Sequence, residues 1–518
     1  MSYPDGPSCS AQTETDGHFK WLTLLQEACV SSNHQEKLDL LATCVSQITS
    51  SESSVVNHLM QQESFIRVLV KTIDLAIIPG FQKEYFSYEK DDFKKYPKVT
   101  HHVLSIMHRI LHILTNKKRD EANRRSSLTT QETPAENETE QIIARNLIVC
   151  LPKLILLLSA HSNFPLWSSV ELQTLNSKVL DMLLLYFSCE SLDELLSIDT
   201  YGQNIQVVTG SEVTLLSAVL SYCWKPLSKH TWHQNPFLCH SFDWIILQMK
   251  LPHLSDYIEQ VMSVALNFLE DHQAVNKIRG ICCLHQLIKN TSSEEMRWLN
   301  RADVIYEQLK NQMYLKEAAV IECLFPCLFD VLKIVESPPE LDRHQYVLDT
   351  MLRNTESENL LILRKIYVCH LTVLVDQVGI YSVRHLKTLI QIVSSYLEVD
   401  DGLGEVSARP NTLKLLECII RVGWPRIQHH VDAILKMCLN FIADVICTKP
   451  ESDSSVDVRY QLTAETVRCL VLLSEVCPEV LPCVRAGLQA GMDSVGCDSH
   501  LFDVLKIQLA SIDTVSAG

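Results

Sequence analysis

LLILRKIYVCHLTVLVDQVGIYSVRHLKTLIQIVSSYLEVDDG, running from Leu360 to Gly402, is the stretch whose reading decides the fold. Leu363, Tyr367, Leu371, Leu374 and Val378 fall at steps of three and four, with Arg364, Lys365, Thr372 and Asp376 off that stripe. The same spacing returns in Val383, Leu386, Ile390, Val393 and Leu397, with Arg384, His385, Lys387, Gln391 and Glu398 on the other side. Gly379 marks a turn between the two runs and Gly402 a stop. A helix of about 18 residues is roughly 27 Å long, so two joined by so short a turn are expected to lie antiparallel and share their apolar stripes. One hairpin cannot bury all of its apolar surface, so neighbouring hairpins must complete the core.

Working outward, the same rhythm covers most of the chain. After Pro252 it predicts hairpins at 253–270 with 274–290, 300–313 with 316–335, 342–353 with 357–378, 382–398 with 408–422, 425–447 with 459–476, and 479–490 with 498–513. Their spacing of about 40 to 50 residues suits HEAT or armadillo units, and the fold class is expected to be all-α, a solenoid of helical hairpins. Upstream, helices are predicted over 18–30, 36–49, 53–61, 63–78, 98–114, 141–160, 168–188 and 211–223. Residues 81–97 read as a loop with a short helix, and the Trp-rich, Pro-broken run 223–246 interrupts the rhythm. The domain organisation that follows is a disordered start over 1–17, helical repeats over 18–115, a flexible polar insertion over 116–140, a middle helical region over 141–250, and HEAT-like repeats over 251–514.

Composition agrees with this reading. Gly is 14 and Pro 18 of 518 residues, below the usual shares of about 7% and 5%. Hydrophobic residues are 47%, enough for a large helical core. A net charge of −17 works against wrapping nucleic acid or lying on anionic lipid, so neither is expected as a direct partner. The polar, acidic start is not a signal peptide, and the apolar run 142–160 is interrupted by Arg145 and Lys153, so a buried helix is expected there and not a membrane span. The chain is expected to be cytoplasmic, with a nuclear fraction also allowed. Nineteen cysteines sit mostly at apolar helical positions, where reduced Cys behaves as a small hydrophobe. In a cytosolic chain the sequons at Asn137 and Asn290 carry no weight.

Motifs for chemistry are scarce. There is no GxxxxGK[ST], GxGxxG, HExxH or GxSxG, so no catalytic residue and no cofactor is assigned. His101, His108 and His112 share a helical face, but a polar edge is the simpler reading. Cys282, Cys283 and His285, and Cys323 with Cys327, read as packing, so no metal is expected. Arg124, Arg125, Ser126 and Ser127 have the look of a basophilic kinase site. The stronger pattern is electrostatic. Arg364, Lys365, Arg384, His385 and Lys387 gather on the outward side of the opening hairpin, with Arg421 and Arg426 one repeat later, as a solvated face or a ridge that receives an acidic partner helix. Trp424 either anchors such a partner or packs in the core.

Asn276, Lys277, Ile278, Gly280, Cys283, Leu284 and His285, then Asn300, Arg301, Ala302 and Tyr306, then Val383 to Lys387 with Tyr396 to Val399 and Gly402, together resemble the TELO-two-interacting protein two family. Trp424, Pro425 and Arg426 also fit, as do Lys225, Pro226, Trp232, Asn235, Pro236 and Trp244; the resemblance covers roughly 215 to 445. It implies a non-catalytic subunit of the TTT complex, an all-helical co-chaperone assembly. That complex works with the heat-shock ninety chaperone and a RuvB-like ATPase to mature phosphatidylinositol-kinase-related kinases, among them target-of-rapamycin and the DNA-damage checkpoint kinases. The direct partners implied are the larger helical-repeat subunits of that complex. Asn276 and His285 are expected to cap or bridge helices within the fold. A karyopherin-like transport adaptor is the alternative, although no Trp and Asn ladder recurs on successive repeats.

Overall fold

The computed structural model describes residues 11–50, 53–81, 88–127, 134–163, 165–199, 214–399, 401, 407–447 and 453–494. Among these residues there is no strand, only two isolated bridges, and the chain separates into two compact units, 1–268 and 269–518. The division falls later than the 250/251 boundary expected from the sequence.

The first unit contains α1 (Ala11–Val30), α2 (His34–Ser50), α3 (Ser53–Met60), α4 (Glu63–Asp74), α5 (Tyr96–Ser127), α6 (Pro134–Ala160), α7 (Val170–Phe187), α8 (Leu192–Leu196), α9 (Leu215–Trp224), α10 (Pro236–Gln248) and most of α11 (Ile258–Leu269). Helices α2, α5 and α7 pack in succession as one layer, and α1, α4, α6 and α10 as the other. Local sequence sets the ends. The Ser169 hydroxyl accepts from Leu172 N at the start of α7, and Ser188 closes it in the left-handed region at φ 57°.

The structure departs from the sequence reading at three places. Helix α1 begins at Ala11, inside the stretch expected to be disordered. Helix α5 continues through the polar run to Ser127, because Lys118 Nζ donates to the Tyr186 carbonyl at 2.6 Å and lies over the Tyr186 ring, tying the polar part of α5 to the carbonyl end of α7. Only 128–133 of the expected insertion lies outside the described residues. The Trp-rich interruption contains α10, for which Pro236 is a helix start and not a break. Ahead of it, Asn235 Nδ2 donates to the carbonyls of Thr231 and Pro226, and a Cβ on Gly80 would come within 2.6 Å of Asn235 Oδ1. The apolar run in α6 is long enough to cross a membrane, but it is the central core helix of this unit, with Leu147, Leu151 and Leu154 to Leu158 buried.

The second unit holds α12 (Ala274–Lys289), α13 (Ser293–Arg297), α14 (Arg301–Asn311), α15 (Ala318–Val335), α16 (Asp342–Ser357), α17 (Leu361–Val378), α18 (Leu386–Glu398), α19 (Arg409–Val422), α20 (Val431–Cys447), α21 (Asp453–Val476) and α22 (Leu481–Ser494). Helices α12, α15, α17, α19 and α21 form one layer; α16, α18, α20 and α22 form the second. The hairpins are α14 with α15, α16 with α17, α18 with α19, and α20 with α21. Helices α17 and α18 therefore belong to successive repeats and do not share a stripe as the sequence suggested. Residues 379–385 wind as a 3-10 segment between them, opened by Gly379 at φ 61°, and this changes the layer before α18 begins. The predicted helix over 498–513 and the stop at Gly402 lie outside the described residues.

Candidate partner-binding surface

Basic side chains of the second unit divide into two sets. The first is buried in the first two turns of α12, α17, α19 and α21, each reaching a carbonyl near the end of a neighbouring helix, where the unpaired C=O groups carry partial negative charge. Lys277 Nζ donates to the Leu269 carbonyl at 3.1 Å and to Gln312 Oε1 at 2.9 Å. Arg409 Nε donates to the Val399 carbonyl at 3.2 Å, lies 3.5 Å from Asp401 and covers the Phe441 ring. Asp401 is buried as well, and also accepts from Ser407 Oγ and Ala408 N. Arg459 Nε donates to the Val445 carbonyl at 2.7 Å.

Arg364 belongs to this set, which corrects its expected place on the outward ridge. Its guanidinium lies 3.8 Å from the centre of the Tyr396 ring and donates to the Ser395 carbonyl. Only 8% of the residue is exposed. The Tyr396 hydroxyl in turn donates to Thr355 O at 2.6 Å, and burial pushes it up to about 12. Lys365 is half-buried and engaged within the fold.

The second set remains in solvent. Arg384 and Lys387 are exposed at the end of the 3-10 turn and the first turn of α18; Arg426 is exposed in the turn after α19. Among the described residues none of the three side chains makes an ion pair or hydrogen bond. Around them stand Ile380 at 54% exposure, Tyr381 at 43% and Trp424 at 62%, so Trp424 is not a core residue. Close packing joins the two turns: a Cβ on Gly423 would lie 3.2 Å from Leu386 Cδ1. His385 faces inward, with Nε2 donating to Gln345 Oε1 at 3.0 Å and Nδ1 3.3 Å from Asp349. Burial lowers its pKa, with Asp349 opposing. Arg421 pairs with Asp376 at 2.9 Å. The structure thus brings together Arg384, Lys387, Trp424 and Arg426 and removes Arg364 from the ridge. Ile380 and Tyr381 were missed from the sequence, although their place just after the Gly379 turn marks them as surface.

The remaining motif residues serve the fold. Asn276 bridges Asp271 at 2.6 Å and Arg279 at 2.9 Å. Gly280 is buried in α12. His285 Nε2 donates to Asp330 Oδ2 at 2.9 Å; burial lowers the histidine against the pull of Asp330. Asn300 takes a left-handed conformation at φ 56° to start α14, and Arg301 reaches the Glu295 carbonyl beside the Trp298 ring. His108 and His112 lie 6.2 Å apart between ring centres; burial lowers the His108 pKa, helped by His112, Lys178 and Arg109 nearby. Among the described residues no three metal-ligating side chains come together. Cys282 meets Cys323 across α12 and α15, and this hydrogen bond lowers Cys323 against the effect of burial. Ser126 and Ser127 fall in the last turn of α5, their side chains outside the described residues.

Stacked helical hairpins with a polar, aromatic-lined edge define a HEAT-type repeat protein. Importin beta, crystallised in ammonium sulfate, aligns with a TM-score of 0.50 at 13% identity over 98% of this chain and 59% of that one. Kap95p in its RanGDP complex gives 0.50 at 12% identity over 96% and 58%. At such identity the likeness is one of fold alone. The Tti2 family model matches residues 216–400. Mouse (Mus musculus) TELO2-interacting protein 2 is 30% identical over 360 residues, covering 64% of this chain and 68% of the relative. The human (Homo sapiens) protein of that name is 32% identical over 321 residues, covering 60% and 61%. The chain belongs to the Tti2 family.

Proposed function

We propose that this protein is a non-catalytic scaffold subunit of a TTT-type co-chaperone complex, binding TELO2 and the other large helical-repeat subunit. In this reading it keeps the assembly stable while the heat-shock ninety system matures phosphatidylinositol-kinase-related kinases. A role in the DNA-damage response follows through the checkpoint kinases among those clients. The observation that carries the reading is the kinship with proteins named for interaction with TELO2. Support comes from the open edge of the second unit, where aromatic and Arg side chains of the kind that dominate interfaces stand without partners inside the fold. In this reading the assembly works in the cytoplasm, with a nuclear fraction.

The test is purification of the endogenous protein under native conditions. TELO2 at near-stoichiometric yield, and a fall in the amounts of the large kinases without a fall in their messenger RNA after depletion, are the expected results. Recovery without TELO2, or unchanged kinase levels, overturns the reading.

A further inference from the structure

We propose that the edge formed by residues 380–387 and 424–426 is the seat of one acidic, amphipathic helix of a partner protein. The proposal rests on the reading of the chain as an interaction subunit and adds the surface and the chemistry of what it holds. Ile380, Tyr381 and Trp424 are exposed apolar side chains on two adjoining turns, and Arg384, Lys387 and Arg426 on the same turns make no ion pair or hydrogen bond among the described residues. In a chain of net charge −17 the other basic groups described for this unit are largely spent on carbonyls and carboxylates. Of the acids near the edge, Asp376 is paired with Arg421, while Asp349 lies against His385, whose lowered pKa keeps it neutral near pH 7. The edge therefore presents three cations that form no ion pair among the described residues, next to aromatic surface. A complementary ligand is a helix with apolar side chains at i, i+3 or i+4, and i+7, flanked by Asp and Glu.

Two other occupants fit less well. A second copy of this chain brings another −17 charges against the first, and repulsion opposes that pairing. Nucleic acid needs more phosphate neutralisation than these three cations supply.

The experiment places benzoyl-phenylalanine at position 424 of the full chain in cells, with Val275, exposed on α12, as the control position. After irradiation the crosslinked peptide is sequenced, and its synthetic copy is titrated against the purified chain by fluorescence anisotropy. Expected is one acidic amphipathic segment from another protein, crosslinked from position 424 and not from 275. Trp424→Ala should weaken the peptide by roughly 30-fold, the effect of losing a central aromatic anchor. The triple variant Arg384→Glu, Lys387→Glu, Arg426→Glu should abolish the crosslink while circular dichroism and melting stay as in the parent. A crosslinked peptide from this same chain, a basic or uncharged peptide, or a yield unaffected by the charge reversal overturns the proposal. TELO2 in the same purification separates the two readings. Its presence without a crosslink removes this edge and leaves the subunit role, whereas its absence removes the subunit role itself.

Discussion

Arg364 and Arg384 are twenty residues apart in a stretch that reads as one amphipathic pair, yet they do opposite things. Arg364 is folded onto Tyr396 and a helix-end carbonyl, together with Lys277, Arg409 and Arg459 in the same structural role. Arg384, with Lys387 and Arg426, forms no ion pair among the described residues and faces water. The buried set closes the carbonyl ends of helices that the stack hides from solvent, where an unsatisfied acceptor is costly. The exposed set contributes little to stability and is free to recognise something else.

That contrast can be broken most severely at Arg409. Arg409→Ala leaves Asp401 buried beside an orphaned carbonyl, and a loss of about 4 kcal/mol is expected in urea unfolding. A loss below about 1 kcal/mol would put Arg409 with the exposed set.

His370 sharpens the contrast through pH, because it is a half-buried base set against the Phe325 and Phe329 rings. Burial lowers its pKa from 6.5 to about 4, so the unfolded chain binds the proton more readily. Stability is then full above pH 6.5, falls as the pH drops toward 4 and levels off below. The contribution is about 3 kcal/mol across that window, and His370→Phe should flatten this part of the profile.

A smaller step removes the hydroxyl that steadies the Arg364 platform. Tyr396→Phe leaves the Thr355 carbonyl with only the longer bond from Glu358 N at 3.4 Å and should cost about 1 kcal/mol in the same unfolding measurement. Least of all, reversing Arg384, Lys387 and Arg426 together should move stability by under about 0.5 kcal/mol, read by thermal melting. A larger drop would show that these side chains do structural work.

Helical repeats were legible because the 3.6-residue stripe survives in nearly every element, and the pairing of 342–353 with 357–378 and of 382–398 with 408–422 matches α16 with α17 and α18 with α19. The direct pairing of α17 with α18 was misread, since periodicity records which face is apolar but not how Gly379 turns the chain. Arg364 was misplaced because its ring partner lies 32 residues ahead, and a charge off the stripe looks wet until that ring is known. In the same way, Lys118 explains helix in a run whose composition alone reads as loop, and only the fold brings Tyr186 to it. Of the edge, Trp424 and the cations were visible from residue type. Their assembly with Ile380 and Tyr381 depends on the packing of Gly423 against Leu386.

The clamp at Asp401 has an engineering consequence. Ser407, Ala408 and Arg409 are gathered onto the same carboxylate, so the two ends of the intervening 402–406 segment are fixed whatever lies between them. A longer connection between two ends anchored in this way should cost about 0.6 kcal/mol for each doubling of its length. A tag or fluorophore inserted there would ride on the repeat array without loosening it.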